Sequence, residues 1–173
     1  MSAFLHRKHF RVPAAVLFLG LCAFIVSFIS AELSPVLTLH LSYQKTGEII
    51  LELPVRPGDE LTVELTHSFE HVPWNEYYQI QNDGSFLLQR IEVGGFGAGI
   101  PAEMDVPTYV GEDGMVHMDD INSVFSQFNW ITSQTNMKDL LLNGEPILEF
   151  SSLPHHSFVT CETVVQRRLF HLG

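Results

Sequence analysis

The chain has 173 residues, 46% of them hydrophobic and 17% charged, with twenty acidic residues against nine basic ones and a formal charge of −11. That length leaves room for one domain and an appendage rather than for two independent cores. The acidity argues against nucleic acid and anionic lipid headgroups as partners, and two cysteines separated by most of the chain rule out a disulfide framework.

The appendage comes first. Arg7, Lys8 and Arg11 precede an uncharged, mostly apolar run from Val12 to Ala31, and about 20 such residues can cross a bilayer as a helix. The run exceeds the apolar core of about 7 to 15 residues that a cleavable signal carries, and its one cleavage candidate, Ile29-Ser30-Ala31, has Ile where a smaller residue is usual. Leu21 before Cys22 likewise defeats a lipidation signal. The expectation is a basic cytoplasmic tail over 1–11, a transmembrane anchor or signal segment over 12–31, and an extracytoplasmic domain over 32–173. Charge sets the orientation: three of the nine basic residues precede the run and all twenty acids follow it. Six basic residues against twenty acidic ones leave the exported part at −14.

Beyond Glu32 the hydrophobic period is two. "VLTLHLSY" alternates Leu37, Leu39, Leu41 and Tyr43 against Val36, Thr38, His40 and Ser42, the pattern of a half-buried strand. "EIILELPV", "ELTVELTH", "EYYQIQ" and "SFLLQRIEV" continue it, divided by the turn compositions Lys45-Thr46-Gly47, Arg56-Pro57-Gly58-Asp59 and Asn82-Asp83-Gly84. These spacings predict a meander. "GGFGAGIPAEM" from Gly94 to Met104 is too rich in Gly for a strand interior and reads as a loop. "DVPTYV" and "MVHM" form a short pair about "GEDG". In "DDINSVFSQFNWITSQTNM" only a weak helical turn near Ile121 to Phe125 is predicted. Asn143-Gly144 turns "DLLL" into "EPILEF", and a β-branched strand closes the chain around Cys161, which its apolar neighbours mark as a buried, inert thiol. The expected fold class is all-β: a small antiparallel β-sandwich or partly open barrel behind one N-terminal helix.

Chemistry concentrates in "LTHSFEHVPWNEYYQI", Leu65 to Ile80. Strand parity places His67 on the apolar side with Leu61, Val63 and Leu65, and Ser68 on the other. Adjacent strand residues point apart, so His67 cannot readily activate Ser68, and no G-x-S-x-G elbow is present. His67 and His71 have a zinc spacing only on a helix, which Val72-Pro73 opposes, and HExxH is absent. His155 and His156 could supply further ligands if the loops met. No metal and no cofactor is expected, with those four histidines the only metal candidates. Trp74, Tyr77, Tyr78, Phe69 and Phe96, set among acids, suit a partner surface or a small-ligand mouth as well as a core. His71, Trp74, Tyr77 and Phe96 are the candidates for such a surface.

Three features in order, a strand-closing "HS" (His67, Ser68), Glu76 eight residues on, and the Gly-rich Gly95 to Pro101 followed by Asp113-Gly114, resemble a known family. It is the bacterial domain of unknown function 1850, and the resemblance spans roughly residues 36 to 165. It implies a small exported protein associated with permeases of tripartite ATP-independent periplasmic (TRAP) transporters of the TAXI type, facing the periplasm or cell exterior from the cytoplasmic membrane. It implies no established activity. His67, Ser68, Glu76, Gly97 and Gly99 match its motif; the chain departs from it in the extra His71 and Trp74. The expected function is a non-catalytic accessory module. Its expected partners are the transporter permease or solute-binding protein and the inner membrane. An independent small-ligand or metal-binding domain is the alternative. If the strands flanking "SFEHVPW" pair, His67 and Glu76 are expected to clamp the base of the hairpin.

Overall fold

A computed structural model describes residues 18–24, 35–97 and 105–167. Of the expected membrane segment only 18–24 are described. They are helical, and Phe18, Leu19, Leu21 and Phe24 are all exposed. Among the described residues no helix is long and apolar enough to cross a membrane, and the rest of the expected span lies outside them.

Among the described residues the β-domain has twelve strands: β1 (Pro35–Tyr43), β2 (Ile49–Val55), β3 (Glu60–Thr66), β4 (Pro73–Ile80), β5 (Phe86–Val93), β6 (Thr108–Val110), β7 (Val116–Met118), β8 (Ser123–Phe125), β9 (Gln127–Ile131), β10 (Met137–Leu142), β11 (Glu145–Glu149) and β12 (Phe158–Arg167). They make two sheets, a smaller one in the order β2-β1-β12-β9 and a larger one in the order β11-β10-β3-β4-β5-β7-β6, with β8 beside β5. The sheets do not close into a barrel; the molecule is an antiparallel sandwich.

Local hairpins account for part of this. β1 and β2 pair Leu39 with Leu53 and Leu41 with Leu51, and β3, β4 and β5 align Leu61, Tyr78 and Leu88 in one row. The expected meander needs correction at its edges. β10 returns to β3, with Leu141 opposite Thr62, and β12 inserts between β1 and β9. Such pairings depend on burying a shared apolar face, which a turn signature cannot specify.

A second correction concerns Ile121 to Phe125. Asp120 and Asn122 both have φ of 56°, a left-handed conformation that no α-helix can carry through. The segment instead lays β8 along β5, Phe125 opposite Phe86 and Leu88 opposite Ser123. One residue later the chain crosses to the smaller sheet as β9, so Phe125 and Phe128 belong to different sheets yet touch, their ring centroids 5.7 Å apart.

Phe128 is the centre of the core. Its ring lies 4.6 Å from Tyr78, 4.7 Å from Phe86 and 5.3 Å from Trp130, and Trp130 meets Phe150 edge-on at 5.6 Å. Leu39, Leu41, Leu61, Val63, Leu140 and Val159 are fully buried around it. Cys161 is buried too, and burial pushes its thiol up to about 12, in keeping with the inert thiol expected. The β4–β5 turn is fastened to the other sheet: Thr163 Oγ1 donates to the Gly84 carbonyl at 2.6 Å. Gly84 has φ of 85°, and a Cβ there would collide with Thr163 Oγ1 and press on Leu37.

Gly84→Ala is therefore expected to lower stability by about 1–3 kcal/mol, combining left-handed strain with a displaced inter-sheet contact. Equilibrium urea unfolding checks it; an unchanged midpoint would mean that the turn moves away from β12 without loss.

Candidate functional site

The period-two rule puts Trp74, Glu76 and Tyr78 on one face of β4. Register shows which face: Trp74 lies between Leu65 and Val93, Glu76 between Val63 and Ile91, and Tyr78 between Leu61 and Leu88. Those neighbours are core residues, so Glu76 places a carboxylate on the inner side of the larger sheet. Such a group must be hydrogen-bonded. Its strand neighbours provide the bonds: Trp74 Nε1 donates to Oε1 at 3.0 Å and Tyr78 Oη donates to Oε2 at 2.6 Å.

Above Glu76 the β3–β4 connection folds on itself. His67 N–H donates to the Val72 carbonyl at 2.8 Å and His71 N–H to the His67 carbonyl at 2.9 Å, with His71 left-handed at φ 56°. His67 Nδ1 accepts the Glu70 N–H at 3.1 Å, so the neutral ring carries its proton on Nε2. The imidazole stacks on Trp74, centroids 5.8 Å apart and planes 21° apart. The expected clamp is thus corrected: Trp74 stands between His67 and Glu76, and no direct bond joins them. Paired strands put Glu76 opposite Val63, four positions from His67, because the loop is itself bonded at its neck.

These side chains border an open cleft of about 370 Å³, lined by Leu65, Thr66, His67, Ser68, Trp74 and Glu76 from β3, β4 and their loop, together with Ile131, Ser133, Asn136 and Met137. The second group was not foreseen. "SQTN" is a turn composition, the one signal available for it, and its proximity to His67 is a product of β10 pairing with β3. The contact is well bonded: Thr66 N–H donates to the Asn136 carbonyl at 2.7 Å, and Asn136 Nδ2 to the Thr66 carbonyl at 3.2 Å. The hydroxyls of Ser133 and Thr135 both donate to Asn136 Oδ1, at 3.2 and 2.6 Å.

The motif residues therefore divide. His67, Ser68, Trp74 and Glu76 share the cleft. Gly97 lies against the β3–β4 loop rather than in the cleft: a Cβ there would fall 2.5 Å from Glu70 Oε1, so a larger residue would make the Glu70 side chain shift. Gly99 lies outside the described residues. Phe69 and Phe96 are 72% and 60% exposed, and His71 is exposed beside them. Tyr77 faces away on the outer surface, where Arg90 sits 3.7 Å over its ring and Glu92 accepts its hydroxyl at 2.6 Å. Arg90 Nε lies 3.3 Å from Glu92 Oε1, an electrostatic contact without hydrogen-bond alignment, and His117 Nδ1 approaches the same oxygen at 3.5 Å.

His155 and His156 pack ring to ring at 3.8 Å, and His155 Nδ1 accepts the Gln134 N–H at 3.3 Å. Among the described residues no group of three or more His, Cys, Asp or Glu is placed to hold a metal ion. Ser68 is exposed and makes no hydrogen bond to His67.

Burial, reinforced by the Glu76 charge, raises the Tyr78 phenol far above its ordinary value. Its folded-state pKa exceeds the unfolded one, so its contribution is fully present below about pH 10 and is lost as pH rises from there. Cys161 acts in the same sense from about pH 9 to 12. Stability is expected to fall through this alkaline range by up to about 1.4 kcal/mol per pH unit per group. Tyr78→Phe should cost about 1–3 kcal/mol at neutral pH by removing a donor from Glu76, and should flatten the alkaline fall without abolishing it. Denaturant titrations at neutral and alkaline pH test both; an equally steep fall in the variant would mean that Tyr78 ionises freely.

A family model described as Domain of unknown function (DUF1850) matches residues 61–147, which include all ten residues lining the cleft. No curated protein and no solved structure matches the chain.

Proposed function

We propose, for a chain that belongs to the DUF1850 family, that it is a non-catalytic binding module held outside the cytoplasm by an N-terminal anchor and serving a TRAP-type transporter of the TAXI class as an accessory. The observation that carries the binding part is the convergence of His67, Ser68, Trp74 and Glu76 on one cleft of about 370 Å³, a size suited to a small solute or to one or two side chains of a partner. Apolar Leu65, Ile131 and Met137 alternate there with a few fixed polar groups, the usual composition of a binding site.

Binding is favoured over catalysis by what the polar groups already do. Both Glu76 oxygens accept hydrogen bonds that shape the site, His67 Nδ1 is engaged by its own loop, and Ser68 makes no hydrogen bond to His67. The extracytoplasmic part is supported by the basic residues before the Val12 to Ala31 run and the acids after it. The exposed Phe18, Leu19, Leu21 and Phe24 add to it. The transporter part rests on the family resemblance alone.

The full chain, tagged and extracted in detergent, is expected to recover the permease or the solute-binding component encoded near it. Trp74→Ala should reduce recovery about tenfold, and Trp74→Phe should keep part of it if stacking on His67 is what the site needs. Reproducible failure of the wild-type chain to recover either component would overturn the transporter assignment.

A further inference from the structure

We infer that the cleft takes a small organic cation, an ammonium whose charged head meets Glu76 and Trp74 while its apolar arm lies along Leu65, Ile131 and Met137. This rests on the cleft being a binding site, as proposed above, and adds the chemical class of its ligand.

The lining decides the sign of the charge. None of its ten residues is Lys or Arg, and Glu76 is the one carboxylate among them. The donors that satisfy Glu76 are an indole N–H and a phenol, both neutral, so its charge is hydrogen-bonded but not cancelled. Each carboxylate oxygen has a second acceptor site beyond the bond it already receives. His67 makes no bond to Glu76; its Nδ1 accepts the Glu70 N–H within its own loop.

Two further features point the same way. Trp74 places an indole beside the carboxylate, bonded to it through Nε1 and stacked on one face by His67; its second face is the kind of surface that attracts ammonium groups most strongly. The domain itself carries six basic residues against twenty acidic ones after residue 31, a field that concentrates cations and repels carboxylates and phosphates on approach. An anionic solute would meet Glu76 with no guanidinium or ammonium to receive it. A neutral one would leave the carboxylate's remaining acceptor sites unused in a half-buried setting.

The test is calorimetry and tryptophan fluorescence on the full chain in detergent with three probes of matched shape: benzylammonium, benzyl alcohol and phenylacetate. Benzylammonium is expected to bind at least about tenfold more tightly than the other two, and raising the salt should narrow the gap. Glu76→Gln should erase the preference. Because that variant also touches the Trp74 and Tyr78 bonds, Ser68→Lys provides a second: it sets a cation at the rim through a side chain that makes no bond in the site, and should weaken benzylammonium alone.

A preference for phenylacetate, equal binding of the three, or a preference that survives both substitutions would overturn the cation assignment while leaving the binding module in place. Binding of none of the probes also overturns it. If no transporter component is then recovered either, the binding module falls as well.

Discussion

A carboxylate on the inside of a β-sandwich is the constraint around which this domain is organised. Glu76 sits in a row with Val63 and Ile91, where an unpaired charge would cost several kcal/mol. The solution is local: residues two before and two after on the same strand point to the same side, and both end in a donor. One donor reaches outward and the other inward. Trp74 carries the bond toward the β3–β4 loop by stacking on His67, and Tyr78 carries it into the core by packing its ring against Phe128. The wall of the cleft and the aromatic core are therefore parts of one bonded unit.

The rest of the cleft follows from how that unit is enclosed. The loop from His67 to Val72 is closed by its own backbone bonds, and Gly97 lies against the Glu70 side chain. From the other side Asn136 is tied to Thr66 through both backbone and side chain. Thr132, fully buried, fixes the adjoining segment: its hydroxyl donates to the Pro154 carbonyl at 2.6 Å and accepts the Ser157 N–H at 2.9 Å. A site so held is preorganised, which suits recognition because little ordering remains to oppose binding.

The same strand serves a different purpose on its other face. Tyr77, one residue from Glu76, belongs to an outer stripe across β4, β5 and β7 in which Arg90 and His117 both approach Glu92. Tyr109 stacks on His117 with planes 7° apart, extending the stripe to β6. Here an acid is met by a guanidinium; in the cleft it is met by neutral donors. That contrast gives the inner carboxylate its chemical character.

Much of this was determined by the sequence alone. Alternation and turn residues specify the described strands except β8 and β9, where the sequence predicts at most a helical turn. Parity separates Tyr77 from Tyr78, because a strand has a period of two whatever it packs against; His67 and Ser68, expected on opposite faces of a strand, instead lie beyond the end of β3 and border the same cleft. The burial of Cys161 could be read from its neighbours. The tertiary structure decided what lies across from what. Asn136 and Met137 reach the cleft because β10 pairs with β3, some seventy residues away in the chain. Phe125 and Phe128 join the two sheets because left-handed Asp120 and Asn122 deny the segment a helix. Trp74, rather than His67, meets Glu76 because the loop neck sets the register of β3 on β4. Local propensity acts between residues near in sequence, whereas register and sheet order are settled by the burial of a shared apolar face, and the cleft is made where that burial stops.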